Sequence, residues 1–176
     1  MTKIIRTVGI DPGPAQSAAV LIKDAGPMNS IYGPNAVIRK WLIGQREGLG
    51  QDDTLCLAIE WPAPFTVTPG NIIWMAMEIG RLIDCMDRQR LGGSFECWGF
   101  RRPTILAHLT GSSRAPKSAC NEALRERFGR SKKVGAPMHG ITNHKWDALA
   151  VAVVAQDALN GDQSLQPLDL TGVFPD

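Results

Sequence analysis

Short apolar runs separated by turn residues dominate the first third of the chain. The run at residues 4–10 ends in Asp11-Pro12-Gly13, and further runs of strand length lie at 17–22 and 54–59. Apolar runs of four to eight residues between turn signals predict buried strands. The run at 54–59 has no polar alternation, which is typical of a strand buried on both faces. Residues 30–32 are predicted to start a third strand, which would complete a meander with the first two. Residues 94–100 are predicted to form the fifth strand.

Helical spacing appears between and after these strands. A short helix is predicted over 35–43 with Asn35 as N-cap, followed by a loop over 44–53. Short helices are predicted over 103–109 and from Pro116 to about residue 128. The last helix is predicted over about 143–158, with Thr142 or Asn143 as N-cap. These elements together predict an α/β fold, a mixed five-stranded sheet flanked by helices.

A wide apolar stripe follows Gly70 at helical spacing; core packing alone is the favoured explanation, and the stripe is also wide enough to face a second partner. It is compatible with core packing on one side and with a dimer contact on the other. Its members are Ile72, Ile73, Met75, Ala76, Ile79, Leu82, Ile83 and Met86.

Composition narrows the class of protein. With 176 residues, 44% hydrophobic and 20% charged, the chain has the size and content of one globular domain. We expect this domain to span residues 1–160, with a polar, loosely held tail at 161–176. No apolar run reaches the roughly 18 residues that cross a bilayer, and the N-terminus lacks a signal-peptide pattern, so we expect a cytoplasmic protein with no membrane partner. The four cysteines form no CxxC pair, which favours free thiols over a zinc site.

Charge is distributed unevenly. Residues 100–133 hold nine basic and two acidic side chains, a net charge of +7, so the rest of the chain carries −5 against the total of +2. A basic segment beside clustered acids indicates a polyanion held over a metal site. A solvated basic loop with no partner is the alternative.

Three acids stand where elements begin or end. Asp11 and Glu60 end two predicted strands, and Asp147 follows His144 by three residues at the start of the last helix, so that pair shares one face. Taken alone, Asp-Pro-Gly also suits an ordinary hairpin turn. Converging carboxylates stay ionised only if cations neutralise them, and oxygen-rich ligands with one imidazole favour Mg²⁺, with Mn²⁺ as a second candidate. Two such ions would suit phosphodiester hydrolysis.

Four motifs in register resemble the RuvC family of Holliday-junction resolvases. They are Gly-Ile-Asp-Pro-Gly at 9–13, Ile-Glu at 59–60, Thr-Gly-Ser-Ser-Arg-Ala-Pro-Lys at 110–117 and His-Lys-Trp-Asp-Ala-Leu-Ala at 144–150. The resemblance spans about residues 4–158. It implies a ribonuclease H-like fold and a homodimer that nicks two symmetric strands of four-way DNA with Mg²⁺.

The resemblance also assigns roles to residues. Asp11, Glu60, His144 and Asp147 match the catalytic metal-binding tetrad, and Lys117 matches the basic residue near the scissile phosphate. Phe65 stands where the family places an aromatic side chain that stacks on bases, although anchoring its loop is an equal alternative. The remaining DNA-binding candidates are Arg101, Arg102, Arg114, Lys132 and Lys133.

Departures from the family pattern affect recognition more than chemistry. Ser113 replaces a glycine of the loop, Pro116 replaces a small polar or acidic residue, and Pro62 and Pro64 stiffen the segment after Glu60. Such divergence suggests a phage-type member and a broader branched-DNA nuclease as an alternative. Sugar-kinase and actin-like ATPases also start with a strand ending in Asp-x-Gly, but they need two such domains. A non-catalytic junction-binding module is disfavoured because all four tetrad positions are filled.

Overall fold

The computed structural model describes residues 4–23, 26–62, 68–88, 93–131 and 133–171. Along the chain, the strands and helices of the described residues are β1 (Ile5–Asp11), β2 (Gln16–Lys23), β3 (Gly26–Pro34), α1 (Asn35–Glu47), β4 (Thr54–Trp61), α2 (Pro69–Arg88), β5 (Ser94–Arg101), α3 (Arg102–Thr110), α4 (Lys117–Phe128), α5 (Lys145–Leu159) and β6 (Leu168–Asp169). None of the described helices combines the length and apolarity that crossing a bilayer needs.

The strands form one mixed sheet in the order β3-β2-β1-β4-β5-β6. β1, β2 and β3 form the antiparallel meander, whereas β4 and β5 run parallel to β1. The predicted five-stranded mixed sheet with flanking helices is confirmed. The sixth strand is the two-residue β6, which pairs antiparallel with β5 and comes from the segment expected to be a loose tail.

Helices cover both faces of the sheet, so the central strands β1, β2 and β4 bury alternate side chains on opposite sides. One apolar cluster lies between the sheet and α3, α4 and α5, and includes Ala18, Val20, Cys56, Ala58, Phe100, Trp146 and residues 148–155 of α5. The other lies between the sheet and α1 and α2, and includes Val8, Ile10, Leu55, Leu57, Ile59, Ile38, Leu42 and Ile79. By this alternation Thr7, Gly9 and Asp11 face α5, as does Glu60.

Helix α1 is longer than the sequence suggested. It runs through Gly44 to Glu47, so the prediction of a loop from residue 44 was wrong at 44–47. Leu42 and Arg46 are buried, and their packing outweighs the roughly 1 kcal/mol that an exposed helical glycine costs. Pro34, not Asn35, is the N-cap residue. The Asn35 side chain is instead used elsewhere, as described below.

Helix α5 begins later than predicted. Asn143 adopts a left-handed conformation with φ of 47°, which a helix interior or an extended N-cap does not accommodate. His144 takes the N-cap position and Lys145 is the first helical residue. His144 therefore precedes the helix, whereas Asp147 lies in the first turn.

Candidate functional site

Asp11 is the last residue of β1, and the turn after it is held by side chains from two other elements. Ser17 Oγ accepts a hydrogen bond from Gly13 N at 3.2 Å and donates to Asn35 Oδ1 at 2.8 Å, while Asn35 Nδ2 donates to Gly13 O at 3.1 Å. A Cβ on Gly13 would lie 2.2 Å from Gln16 O, so only glycine fits. The turn is therefore a fixed support for Asp11.

Glu60 lies on the parallel neighbour of β1. Ile10 is in register with Ile59, so the next residue of each strand, Asp11 and Glu60, stand side by side at the same edge. Both side chains point to the face that α5 covers. Two acids that end adjacent strands are thus brought together, as the sequence predicted.

The start of α5 brings the other two members of the tetrad to Asp11. Ligand atoms of Asp11, His144 and Asp147 all lie within 4.8 Å of one another, and His144 Nδ1 is 2.9 Å from Asp11 Oδ2. Within the described residues this is the cluster that offers three mutually close metal ligands; Glu60 borders it but is not among these three.

Tyr32, on β3, supports His144 from the side. The two rings stack with centroids 5.3 Å apart and planes inclined by 13°. Tyr32 Oη donates a hydrogen bond of 2.9 Å to Gln16 Oε1. The imidazole is therefore oriented by Asp11 on one atom and by an aromatic ring on one face.

Two cations of the chain reach the carboxylates. Arg102, the first residue of α3, donates from one terminal nitrogen to Glu60 Oε1 at 3.0 Å and to Asp147 Oδ1 at 3.4 Å. Lys117, the first residue of α4, donates to Asp147 Oδ2. The sequence placed both among the DNA-binding candidates, and both lie at the acids themselves.

The carboxylates destabilise one another's charged forms. Burial, followed by the charges of Glu60 and Asp147, raises the pKa of Asp11 to about 6, although His144 opposes the shift. Burial also raises the pKa of Glu60, and Arg102 limits that rise. Of the three carboxylates, Glu60 and Asp147 have arginine or lysine partners, whereas the charged form of Asp11 is opposed by its neighbours and is paired, among the described residues, with His144. A divalent cation would offset this charge, so the residues present fit a metal site.

Two open clefts meet at Asp11. One, of about 260 Å³, is bounded by Glu60, Arg102 and the apolar side chains of Trp61 and Met75. The other, of about 400 Å³, runs past Tyr32 and His144. An extended chain that crosses the sheet edge through both clefts would pass directly over the acids.

The basic segment is partly neutralised within the fold. Arg127 makes a bidentate ion pair with Asp157, and Arg125 and Arg130 both pair with Glu122. Arg101, Arg114 and Lys133 are exposed, and no described residue pairs with their side chains. Two further candidates, Phe65 and Lys132, lie outside the described residues.

Three supporting residues of the site escaped the sequence reasoning. Tyr32 lies on a different element from His144, and Ser17 and Asn35 have no motif around them. The one local signal in the sequence was a polar residue, Ser17, at the start of an apolar strand. In the structure Ser17 is buried beside the turn, where its hydroxyl needs hydrogen-bond partners.

No protein-family model matches this chain, and no curated protein matches it in sequence. Its structure is similar to two structures of RuvC from Thermus thermophilus. The first aligns over 93% of this chain and 99% of that chain with a TM-score of 0.61 at 15% identity. The second, described as RuvC in complex with Holliday junction substrate, aligns over the same shares with a TM-score of 0.64 at 15% identity. The chain therefore has the RuvC fold, and the expected resemblance is confirmed at the level of fold.

Proposed function

We propose that this protein is a metal-dependent, structure-selective DNA endonuclease, and specifically a Holliday junction resolvase. The observation that carries the proposal is the cluster of Asp11, His144 and Asp147 at the sheet edge, with Glu60 beside it. The RuvC fold supports it, since one similar structure holds a Holliday junction substrate. The fold alone is compatible with several activities, so the cluster is what selects this one.

The same four side chains would hold the metal. Asp11, Glu60, His144 and Asp147 supply mostly carboxylate oxygens, which suit two Mg²⁺ ions, or Mn²⁺ given the imidazole. When bound, such ions make a water nucleophilic at neutral pH and stabilise the leaving oxygen of a phosphodiester. The fixed turn at Gly13 would hold Asp11 in place for the metal.

Lys117 is the chain's own group for the phosphate. Its ammonium already donates to Asp147, so it is held beside the carboxylates, and its side chain is 46% exposed. An ammonium in that position contacts a non-bridging phosphate oxygen and offsets the charge that develops during hydrolysis. Arg101, Arg114, Lys132 and Lys133 would hold the flanking backbone, and Phe65 would stack on bases near the junction centre.

A homodimer suits a four-way junction, which presents two equivalent strands. The described surface of α2 carries an exposed apolar group, Ile73, Trp74 and Met77, whose exposed fractions are 61%, 54% and 43%. These residues lie three and four apart, on one side of the helix, whereas Ile79 and Leu82 are buried. We infer that a second copy of the chain covers this face. Sedimentation of wild type as a dimer and of Trp74→Arg as a folded monomer would support the assignment.

The test is cleavage of a synthetic four-way junction, a Y-fork and a linear duplex, with Mg²⁺ or EDTA. We expect paired symmetric nicks in the junction only, abolished by EDTA and by Asp11→Asn. The matched control is Asp52→Asn, which removes an exposed carboxylate away from the cluster and should cut as wild type does.

Each other outcome has a defined meaning. Equal cutting of fork and junction would replace the resolvase by a broader branched-DNA nuclease. Junction binding without cleavage in any divalent metal would leave a non-catalytic binding module as the better description.

A further inference from the structure

Arg102 occupies an unusual place for a DNA-binding arginine. It is the first residue of α3 and follows directly on β5, whose last pair with β4 is Trp61 opposite Arg101, so the sheet fixes the point from which its side chain starts. From there one terminal nitrogen reaches both Glu60 and Asp147. The guanidinium therefore bridges two of the four side chains that we assign to the metal.

Arg102 and Lys117 together engage three of the four carboxylate oxygens of Glu60 and Asp147. Asp147 accepts from Arg102 on Oδ1 and from Lys117 on Oδ2, and Glu60 accepts from Arg102 on Oε1. A carboxylate oxygen that accepts a charged hydrogen bond is a weaker ligand for a cation, because both compete for the same negative charge. Asp11 and His144 are outside this competition.

The geometry of the bridge also allows Arg102 to leave the two carboxylates. The Arg102 side chain is 41% exposed and uses a single nitrogen, and no described residue accepts from its other nitrogens. Arg127, by contrast, uses two nitrogens on Asp157 in a bidentate pair. A guanidinium with free donors at the mouth of a cleft is suited to a bidentate contact with a phosphate.

We propose that Arg102 is an exchangeable counter-ion that couples metal binding to DNA binding. Without DNA it competes with the divalent metal for Glu60 and Asp147. When DNA enters the cleft, a backbone phosphate takes over the guanidinium, and both carboxylates become available to the metal. Arg102 is thus a positioning residue that suppresses metal loading until substrate is present. The inference rests on the proposed function, since it needs a metal site and a phosphate-bearing substrate.

The test measures Mn²⁺ binding by isothermal titration calorimetry without DNA. We expect Arg102→Gln to bind Mn²⁺ roughly five- to tenfold more tightly than wild type, because it removes a competing charge from a partly exposed pair. Arg102→Lys keeps the charge and should stay closer to wild type. The matched control is Arg101→Gln. Arg101 precedes Arg102 in the sequence and its side chain is exposed, so this variant loses the same charge but should leave Mn²⁺ affinity unchanged.

A second arm measures the coupling directly. Junction affinity is compared in Ca²⁺ and in EDTA, since metal and DNA must raise each other's affinity by the same factor. We expect that factor to be several times larger in wild type than in Arg102→Gln. Thermal unfolding of each variant establishes that it is folded.

The outcomes separate this inference from the function on which it rests. Weaker or unchanged Mn²⁺ binding by folded Arg102→Gln, or an equal coupling factor, would overturn the counter-ion role and make Arg102 a fixed support for Glu60. Failure of every variant to bind Mn²⁺ would overturn the metal site, and the proposed function with it. Tighter binding by Arg102→Gln, together with no cleavage of any DNA, would support the counter-ion and contradict the nuclease.

Discussion

Gly9 is the residue that lets α5 approach the sheet closely enough for Asp147 to reach Asp11. A Cβ at this position would lie 2.0 Å from Ala148 O and 2.7 Å from Ala152 N. These are backbone atoms of α5, so the clash is relieved only if the helix moves. Gly9, the first glycine of the Gly-Ile-Asp-Pro-Gly motif, is therefore required by packing, whereas Gly13 is required by the turn.

We predict that Gly9→Ala destabilises the fold by about 3 kcal/mol or more, the upper range for overpacking a rigid contact. Urea denaturation measures the change. The control is Gly44→Ala on the exposed side of α1, where an added Cβ meets nothing within 4 Å. It should raise stability by up to about 1 kcal/mol. Equal effects of the two substitutions would contradict the packing argument.

Asp11 should reduce stability at neutral pH in the absence of metal. Its folded-state pKa of about 6 lies above the unfolded value of about 4, so the folded state holds the proton more tightly. Its favourable contribution is therefore complete below about pH 4 and is lost as the pH rises through about 6. The cause is burial beside Glu60 and Asp147.

We accordingly predict that Asp11→Asn is more stable than wild type at pH 7.5 in EDTA. Its free energy of unfolding, measured in urea, should be higher by up to about 3 kcal/mol. The difference should disappear by about pH 4. Asp53→Asn is a control of opposite sign, because hydrogen bonds from Gly50 N and Ile4 N lower the pKa of Asp53. That variant should lose stability at pH 7.5. A pH-independent gain for Asp11→Asn would refute the electrostatic cause.

For individual residues, the sequence predicted the positions of the acids better than those of the side chains that orient them. Asp11 and Glu60 were identifiable because a carboxylate at the end of an apolar strand is conspicuous. Tyr32 was not, because its contact with His144 is made between elements far apart in sequence and stacking leaves no periodic signal. Asn35 was taken for a cap, since local preference cannot reveal a hydrogen bond to Gly13 on another element.

Helix α5 is positioned along β1 by a buried polar pair as well as by shape. Thr7 Oγ1 donates to Gln156 Oε1 at 2.8 Å inside an otherwise apolar contact. Thr7 is completely buried and Gln156 nearly so. Apolar contacts tolerate sliding, whereas this bond has one correct register. It therefore fixes the height at which α5 places Asp147 near Asp11.

We predict that Thr7→Val costs about 1–3 kcal/mol, because it leaves the Gln156 oxygen buried without a donor. Gln156→Leu alone should cost a similar amount. The double variant should lose clearly less than the sum, as urea denaturation of all four proteins would measure. Additive losses would show that the two side chains act independently.

Residues 168–171 of the C-terminal segment are part of the fold. Leu170 is 7% exposed, its amide donates to Cys97 O at 2.8 Å, and Thr171 Oγ1 accepts from Cys97 N. A polar composition with scattered leucines gave no periodic pattern, so the sequence indicated a loose tail. Main-chain pairing with β5 holds the segment in place although its sequence has no periodic pattern.

We predict that Leu170→Ala costs about 2–4 kcal/mol, a typical loss for a buried leucine. Leu168→Ala is the matched control two residues away, where the side chain is 39% exposed, and it should cost less than about 1 kcal/mol. Thermal unfolding distinguishes the two. Equally small losses of stability in the two variants would mean that this segment contributes no more to the fold than a loose tail would.

Over the whole molecule, net charge is a poor guide to where DNA binds. The basic segment stood out in the sequence, but in the fold Arg125, Arg127 and Arg130 are paired with acids of α4 and α5. Sequence alone could not separate paired from free cations, because Asp157 lies thirty residues beyond Arg127. Fewer basic side chains of the described residues are therefore available to contact DNA than the composition indicated.

We predict that free and paired arginines differ in their effect on the salt dependence of junction binding. Each phosphate contact releases counterions and contributes about 0.9 to the slope of log K against log salt concentration. Arg114 is exposed and pairs with no described residue, so Arg114→Gln should lower that slope by about 0.9. Arg127→Gln should leave it unchanged, because Asp157 already holds the guanidinium in a bidentate pair. Both variants lose one positive charge, so their long-range fields change equally, and a difference in slope reports direct contact alone. Equal slopes would mean that the DNA responds to the overall field of the segment and that the internal ion pairs open when DNA binds.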